Sequence, residues 1–511
     1  MNKNQNFAII YPNQLFEIER LPYETKNIDL FIIAEEPIYF ADKERNLKFN
    51  MLKLIFQRAS MKYYEDYLKK NGLKCKYLDY EDEKSNCIDY ITSEFGQNKK
   101  IHVIDPVDYL VEEKLEKSGK KNKQSLIYYD TPMFLMTDSH LEEYMEGREK
   151  FFQKDFYIWY RNKFNILMKK NEKPIGGSYS YDKFNRDSIP GENFRDFLEE
   201  KNIEYPEVKY KNKFYDEAIK YCEKTFDNHY KKNYKPENIH LYPITHEDIK
   251  NHFKSFLDYK MKYFGPYEDA IDFEESFIFH SVISPQLNNG LLDPKWVLDK
   301  TIEHYDSVGS KILYSVEGFI RQLVWREYSR LLYRYAYDNM ISNYFGHHNK
   351  LSKAWYDGNT GILPIDLAIK KAFEYGYIHH IIRLMILCNF MNLCFIDPND
   401  VYAWFMEFSL DSYDWVMINN VYSMGLYADG GLTTTKPYIS TSRYVLNQSN
   451  LEKDGIWDQV WDTLYYYFIY KNYDKFTGRG KIYQGQWNKK TNKEELKKNA
   501  EKFLKSLNLN P

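Results

Sequence analysis

Three short stretches of the chain concentrate side chains able to do chemistry. In the run Tyr377-Ile-His-His-Ile-Ile-Arg-Leu-Met-Ile-Leu-Cys-Asn-Phe390, two histidines and Arg383 interrupt an otherwise apolar helix, with His379 one turn from Arg383 on the same side. Imidazole moves protons near neutral pH, a guanidinium holds an anion or demands a carboxylate, and burying either without a partner is costly. One such histidine reads as a satisfied core residue; His379 and His380 together, beside Arg383, can face a cleft. A second stretch, Glu317-Gly-Phe-Ile-Arg-Gln-Leu-Val-Trp-Arg-Glu-Tyr328, sets Glu317 and Arg321 at i,i+4 and continues the charge with Arg326 and Glu327. Read alone, it is a salt-bridged surface helix. A third, His280-Ser-Val-Ile-Ser-Pro-Gln-Leu-Asn288, puts the hydroxyls of Ser281 and Ser284 before Pro285 at a helix end, where they hold phosphate oxygens or simply cap helices.

The elements that must position these groups fall into two kinds. Short runs rich in Ile, Tyr and Val recur early: Phe7 to Tyr11, Leu30 to Ala34, Cys75 to Tyr80, Ile101 to Ile104 and Leu126 to Tyr129. Between them lie helical patterns, clearest in Asn50 to Lys70, where Leu52, Ile55, Phe56, Ala59, Tyr63 and Tyr67 share a face before Gly72. Strands alternating with helices predict an α/β N-terminal domain with a parallel, Rossmann-like sheet. The first strand runs into Tyr11-Pro12-Asn13-Gln14 and lacks the Gly-rich turn of a dinucleotide site, so a standard NAD site is not expected. Residues 172–190 form a Gly- and Pro-punctuated connector that composition alone assigns to a surface linker. The basic, Tyr-rich segment 209–235 reads as a solvated helix face. Beyond Pro243 the pattern is helical almost to the end, with long amphipathic runs over 310–337, 365–395 and 494–507, and predicts a large all-α domain. The expected division is 1–135 for the α/β domain, 136–240 for a connector with helices and 241–511 for the helical domain.

Composition narrows the classes. The chain has 511 residues with 43% hydrophobic, 18% aromatic and 28% charged residues, enough apolar material for more than one core. Lys and Arg total 71 against 74 Asp and Glu, so a whole-chain basic field that coats nucleic acid is excluded, and any contact with DNA must come from a local patch. The five cysteines, Cys75, Cys87, Cys222, Cys388 and Cys394, are sparse and odd in number, which fits a reducing compartment without a disulfide framework. The stretch from Met1 to Leu15 carries no secretory pattern, and no apolar run has spanning length, since 378–396 is broken by His379, His380, Arg383 and Asn389. A soluble, intracellular protein is expected.

Taken together, the three stretches resemble the photolyase/cryptochrome superfamily in order and wording: His-Ser-x-x-Ser-Pro-x-Leu-Asn, then Glu-x-Phe-x-Arg-Gln-x-x-Trp-Arg-Glu, then Ile-His-His-x-x-Arg. Three further blocks resemble its deoxyribodipyrimidine photolyase-related branch, which holds bacterial (6-4) photolyases and iron-sulfur cryptochromes. They are Pro174-Ile-Gly-Gly-x-Tyr-x-Tyr-Asp-x-x-Asn-Arg186, Phe264-Gly-Pro-Tyr-Glu-Asp-Ala270 and Ala428-Asp-Gly-Gly-Leu-Thr-Thr-Thr-Lys-Pro-Tyr438. The resemblance reverses the reading of the connector, which in this branch is a structured interdomain segment.

The resemblance implies a folded FAD in the helical domain, with Ser281 and Ser284 at its diphosphate and His280, Asn288, Glu317, Arg321 and Arg326 around the cavity. It sets Arg383, paired with Asp411, against the isoalloxazine and makes Asn420 a neighbour of the flavin. It implies light-driven electron transfer to a pyrimidine (6-4) photoproduct flipped out of UV-damaged DNA, with His380 as proton donor, His379 beside it and Tyr438 as a lesion contact. Leu384 stands where animal (6-4) enzymes carry another histidine, so a two-histidine relay of that form is absent. Trp404, Trp355 and Trp415 are candidate electron-transfer steps. Two alternatives share the pocket: a cryptochrome-like photosensor signalling through a partner, and a cyclobutane-dimer photolyase. A monomer is expected.

The chain departs from the branch most at iron. The segment after Trp355 and the segment 439–470 contain no cysteine, whereas relatives supply cluster thiolates there, so no iron-sulfur cluster is expected. The aromatic run Trp457, Trp461, Tyr465, Tyr466 and Phe468 is the expected local replacement. Met417 replaces an acidic residue near the flavin, while Asp182 and Asp269 keep acidic positions that bear on a divalent ion. A lumazine-type antenna would sit in the N-terminal domain near Gln14, Glu35 and Glu36, although Phe49-Asn50 stands in place of a His-Lys pattern.

Overall fold

The computed structural model describes residues 5–80, 87–170, 172–189, 194–203, 208–226, 229 and 234–511. Parts of the connector and of the basic segment, 190 and 227–228 with 230–233, lie outside them, as do residues 1–4 of the amino-terminal stretch. Five parallel strands, β1 (Asn6–Ile10), β2 (Leu30–Ala34), β3 (Cys75–Leu78), β4 (Lys100–Ile104) and β5 (Ser125–Tyr129), form one sheet in the order β3-β2-β1-β4-β5. Phe7 pairs with Leu30 on one side and Ile101 on the other, so β1 is central and near-continuously apolar, as a strand buried on both faces must be. The sheet reverses its winding between β1 and β4, the place where such sheets receive ligands. Here Asn13 donates to the carbonyl of Pro106 (2.8 Å) and Gln14 to that of Ile104 (2.9 Å), closing the two strand ends on each other.

Among the described residues no strand follows Tyr129. The helix Met51–Lys70 is capped by Asn50, whose side chain accepts from the Leu52 amide, and it packs on the helix Lys213–Thr225. That second helix buries Tyr215, Ala218 and Cys222, so the basic segment is amphipathic rather than solvated all round. The 28-residue helix Leu313–Met340 runs through the helical half, against Gln153–Lys163, Pro294–Val308 and Asp414–Ile418. Glu317, Arg321 and Glu327 on it are buried, which corrects the surface-helix reading.

The run 365–395 is not one helix. Leu363–Tyr375 stops at Gly376, which takes the left-handed conformation (φ 62°) and sits so close to Leu410 that a side chain would collide. The chain crosses Tyr377–His379 without regular structure and re-enters a helix at His380, continuing through Ile382–Cys388 and Asn389–Leu393. His379 and His380 are therefore at a helix entrance, not in a helix interior. The connector also departs from the linker that composition suggested. Asn185 and Tyr181 are buried, the Tyr181 amide donates to Glu317 (2.8 Å), and Asn185 donates to the Gly265 carbonyl (2.8 Å). Gly176 permits this path, because a Cβ there would overlap the Tyr181 hydroxyl. Among the described residues no helix is long and apolar enough to cross a membrane.

Candidate active site

The residues singled out by sequence meet around the entrance at His380. Arg383, on the first turn of that helix, donates from Nη1 to Asp411 Oδ1 (2.9 Å), from Nη2 to Asp411 Oδ2 (3.1 Å) and Ser409 Oγ (3.2 Å), and from Nε to the Ile378 carbonyl (2.7 Å). Such a bidentate pair is the strong form of a guanidinium-carboxylate contact. Burial pushes the Asp411 carboxyl up, but Arg383 and the hydroxyls of Ser284 and Ser409 outweigh it and hold its pKa below the usual range. Ser284 donates to Asp411 Oδ2 (2.6 Å), and Asn288 donates to the Asp411 carbonyl (2.8 Å) while accepting from Arg326 Nε (2.9 Å). One hydrogen-bonded line thus runs from Arg383 through Asp411 and Asn288 to Arg326. Arg326 also stands over Phe134 (4.4 Å) and Trp415 (5.1 Å), and burial lowers its pKa to about 10.

The histidines form a second group on the same entrance. His280 and His379 stack with ring centroids 4.5 Å apart, and His380 stands edge-on to His280 at 6.3 Å. Val282 reaches φ 54°, an uncommon conformation for a β-branched residue, in the turn that carries His280 toward Ser284. His280 Nε2 meets the Glu268 carbonyl (3.1 Å), whereas its Nδ1 and both nitrogens of His379 are buried without a partner. Burial, reinforced by His380, drives the His280 pKa down to about 3 and that of His379 well below the ordinary value. His380 is different: its side chain is 43% exposed and its Nε2 lies 3.5 Å from Asp269 Oδ1.

Behind this rim the connector is docked by charge. Arg321 meets Glu268 (3.2 Å), Asp182 (3.4 Å) and Glu317 (3.5 Å), and Glu317 also accepts from the Tyr157 hydroxyl (2.6 Å). Burial pushes the Glu268 carboxyl up to about 7 despite Arg321. Tyr438 is partly exposed; burial raises its phenol pKa, with smaller effects from Asp182, which raises it, and Arg186, which lowers it. Trp404 donates to the Trp355 carbonyl (3.0 Å) and packs on Phe408 (4.7 Å), the ring under Arg383. Trp355 is fully buried and packs toward Phe390 (6.1 Å), which in turn meets Trp461 (4.8 Å). Trp415 stands apart from that pair, on Phe134.

Some candidates are placed elsewhere. Ser281 contributes its carbonyl to His252 (2.9 Å) rather than joining the Asp411 network through its hydroxyl. Asn420 turns back onto the Val416 carbonyl (2.7 Å), while Asn419 is buried with its Oδ1 unpartnered. Sequence reasoning missed Asn419, Ser409 and Glu268; the first two carry no local signal beyond lying next to Asn420 and Asp411. Met417 is buried. In the sheet region Glu35 is engaged by Arg58 (2.6 Å), the Tyr77 hydroxyl (2.6 Å) and the Tyr80 amide (2.8 Å), and Glu36 is buried with its pKa pushed up to about 7.

Comparison with known proteins decides the family. Residues 8–234 match the model of the deoxyribodipyrimidine photo-lyase-related protein family, and residues 319–461 match that of the FAD binding domain of DNA photolyase. The chain is a member of the photolyase-related family. It is 29% identical over 480 residues to a (6-4) photolyase of Agrobacterium fabrum, covering 89% of this chain and 91% of that one. An uncharacterized protein of Acanthamoeba polyphaga mimivirus is 72% identical over 123 residues, which are 24% of this chain and all of that one. The crystal structure of a bacterial class III photolyase from Agrobacterium tumefaciens superposes with a TM-score of 0.55 at 14% identity, covering 99% of this chain and 98% of that one. The fold is therefore that of photolyases and cryptochromes. Its residues suit FAD: a braced guanidinium, hydroxyl and amide donors, and buried polar atoms on Trp415 and Asn419 that the protein itself leaves without partners.

Proposed function

We propose that this photolyase-related protein is a light-driven DNA repair enzyme acting on the pyrimidine (6-4) photoproduct. Ser284 holds the diphosphate of FAD, and Asn288, Glu317, Arg321 and Arg326 line its cavity. Arg383, braced by Asp411, lies at the isoalloxazine. When bound, FAD absorbs blue light and exchanges one electron with the substrate. His380 gives a proton to the lesion and recovers it, while Asp269 orients its ring and His379 packs behind it. Tyr438 hydrogen-bonds the flipped-out nucleotide from the rim. Arg383 and Arg326, both nearly enclosed, favour electron-rich groups beside them and exclude water from the reacting centre.

The observation that carries the reading is the contrast within the His-His pair. His380 is open to solvent beside a carboxylate at 3.5 Å, whereas His379 is sealed beneath it. A proton donor must reach its substrate, and of the two only His380 is exposed to one. We infer further that no four-cysteine cluster is present, since Cys388 and Cys394 are the only thiols beyond residue 241. The Trp355, Phe390 and Trp461 contacts join the two segments that lack cysteine. Stoichiometric iron and sulfide in fresh protein contradict that inference.

The test is to reduce the purified protein, illuminate it with blue light and follow oligonucleotides carrying either a (6-4) photoproduct or a cyclobutane dimer. Conversion of the (6-4) lesion alone is expected. Conversion of only the cyclobutane dimer overturns the lesion assignment, and conversion of neither with FAD bound moves the protein to the photosensor class.

A further inference from the structure

We propose that His280, His379 and His380 form a binding site for a divalent transition-metal ion of the zinc class, with Asp269 at its edge. One ring nitrogen of each histidine lies within 4.8 Å of the others. Zinc holds imidazole nitrogen at about 2.0–2.1 Å, so three ligands around one ion stand roughly 3.3 Å apart. The arrangement must therefore contract by at most about 1.5 Å, and the exposed ring of His380 is free to supply that movement.

Three independent features favour a metal over a proton or a water. The Nε2–H of His280 is turned to the Glu268 carbonyl (3.1 Å), which fixes the tautomer and leaves Nδ1 with a bare lone pair. A backbone carbonyl on the far nitrogen is what orients metal-binding histidines in general. Both nitrogens of the 97%-buried His379 lack any partner, so its single ring lone pair is desolvated and unused. His380 brings the third imidazole with the Asp269 carboxylate 3.5 Å from its Nε2, the carboxylate-histidine pairing that raises ligand basicity. A neutral N3 set with one carboxylate nearby selects zinc, nickel or copper over magnesium or calcium, which prefer all-oxygen sites. The cationic neighbours of the cluster are Lys260 and Arg383; the second is neutralised by Asp411, and Asp269 works against the first at His280.

The consequence rests on the reading of His380 as proton donor. An ion bound there removes its lone pair and its mobility, so metal occupancy switches repair off without disturbing the flavin.

The experiment uses the tag-free, FAD-loaded protein and reads binding separately from repair. Titration with Co2+ is expected to give d–d absorption to the red of the flavin, saturating at one ion per chain and abolished by Zn2+. His280→Gln and His379→Gln are each expected to weaken Co2+ binding by about tenfold or more, whereas His102→Gln in the sheet leaves it unchanged. Should those variants fold poorly, EPR of the Cu2+ form of the unaltered protein answers the same question. Coupling to at least two imidazole nitrogens is expected, and oxygen-only ligation overturns the site. Absence of saturable binding overturns it as well. Repair that proceeds undiminished with Zn2+ bound refutes the switch, whereas a protein that binds Zn2+ but repairs neither lesion when metal-free and FAD-loaded refutes the repair reading and leaves the site standing.

Discussion

Asp411 and Asp414 are one turn apart in sequence yet belong to opposite kinds of buried polar cluster. Around Asp414, every charge has a partner. Arg45 meets Asp42 (2.8 Å), Asp108 (2.9 Å) and Asp414 (3.1 Å), and Asp414 accepts from the hydroxyls of Tyr333 (2.6 Å) and Tyr402. Lys53 beside them donates to the carbonyls of Met406 (2.8 Å) and Ser412 (2.9 Å). Around Asp411, the Arg383 pair is satisfied, but it borders His280, whose Nδ1 has no partner, and His379, neither of whose nitrogens has one. The charged groups of the first network are all paired and join the sheet region to the helices, although the Tyr39 hydroxyl and the Gln57 amide that line the same cavity are buried without partners. An unsaturated network costs stability in the free protein and is what a ligand site looks like before its ligand.

The comparison breaks first at Arg45. Arg45→Ala leaves three carboxylates buried without their cation and is expected to cost about 3–5 kcal/mol in urea unfolding; a loss under 1 kcal/mol means that the network is solvated and the contrast false. Lys53 gives a pH signature of the same region. Burial lowers its pKa to about 7, against Asp411, Asp42 and Glu407, which raise it, and Arg45, which lowers it further. The unfolded chain therefore binds more protons than the folded one between pH 7 and the ordinary lysine range, and stability contributed by Lys53 rises with pH across that window and is lost as pH falls through about 7. The stability of the native chain relative to Lys53→Met should accordingly be greater at pH 9 than at pH 6.5; a flat difference contradicts the burial of this lysine.

On the unsaturated side the sign reverses. His379→Leu removes two desolvated nitrogens and is expected to stabilise the FAD-free protein by about 1 kcal/mol, read as a higher urea midpoint. Destabilisation by a similar amount means that the ring has a partner and the site is a core network. The smallest effect is expected at the rim: Tyr438→Phe removes one exposed hydroxyl and should weaken binding of (6-4) DNA by about 0.5–1.5 kcal/mol, with undamaged DNA unaffected. Equal weakening for both makes Tyr438 a general DNA contact.

Much of this was legible in the residues. The inner strands β1, β2 and β4 announced themselves because parallel strands buried on both faces are continuous apolar runs, while the edge strands β3 and β5, only partly buried, were read from their Ile, Tyr and Val content. The pairing of Arg383 with Asp411 followed from the resemblance, and geometry agrees with it. The break at Gly376 was not legible, because the apolar period runs on through it and only the approach of Leu410 requires glycine there. Nor was the choice between Asn419 and Asn420, since neighbouring residues on a helix point about 100° apart and nothing local says which side faces the core. The role of Glu268 was hidden for another reason: it reaches His280 through its backbone carbonyl, which no side-chain pattern encodes.

The central claim, that a (6-4) photoproduct is repaired with His380 as proton donor, is tested most directly by comparing His380→Ala with the native protein in one illuminated assay, each normalised to bound FAD. The account predicts that the native protein converts the (6-4) oligonucleotide and that the variant keeps its flavin but loses a factor of roughly 10²–10⁴ in rate. A variant that repairs at the native rate contradicts it.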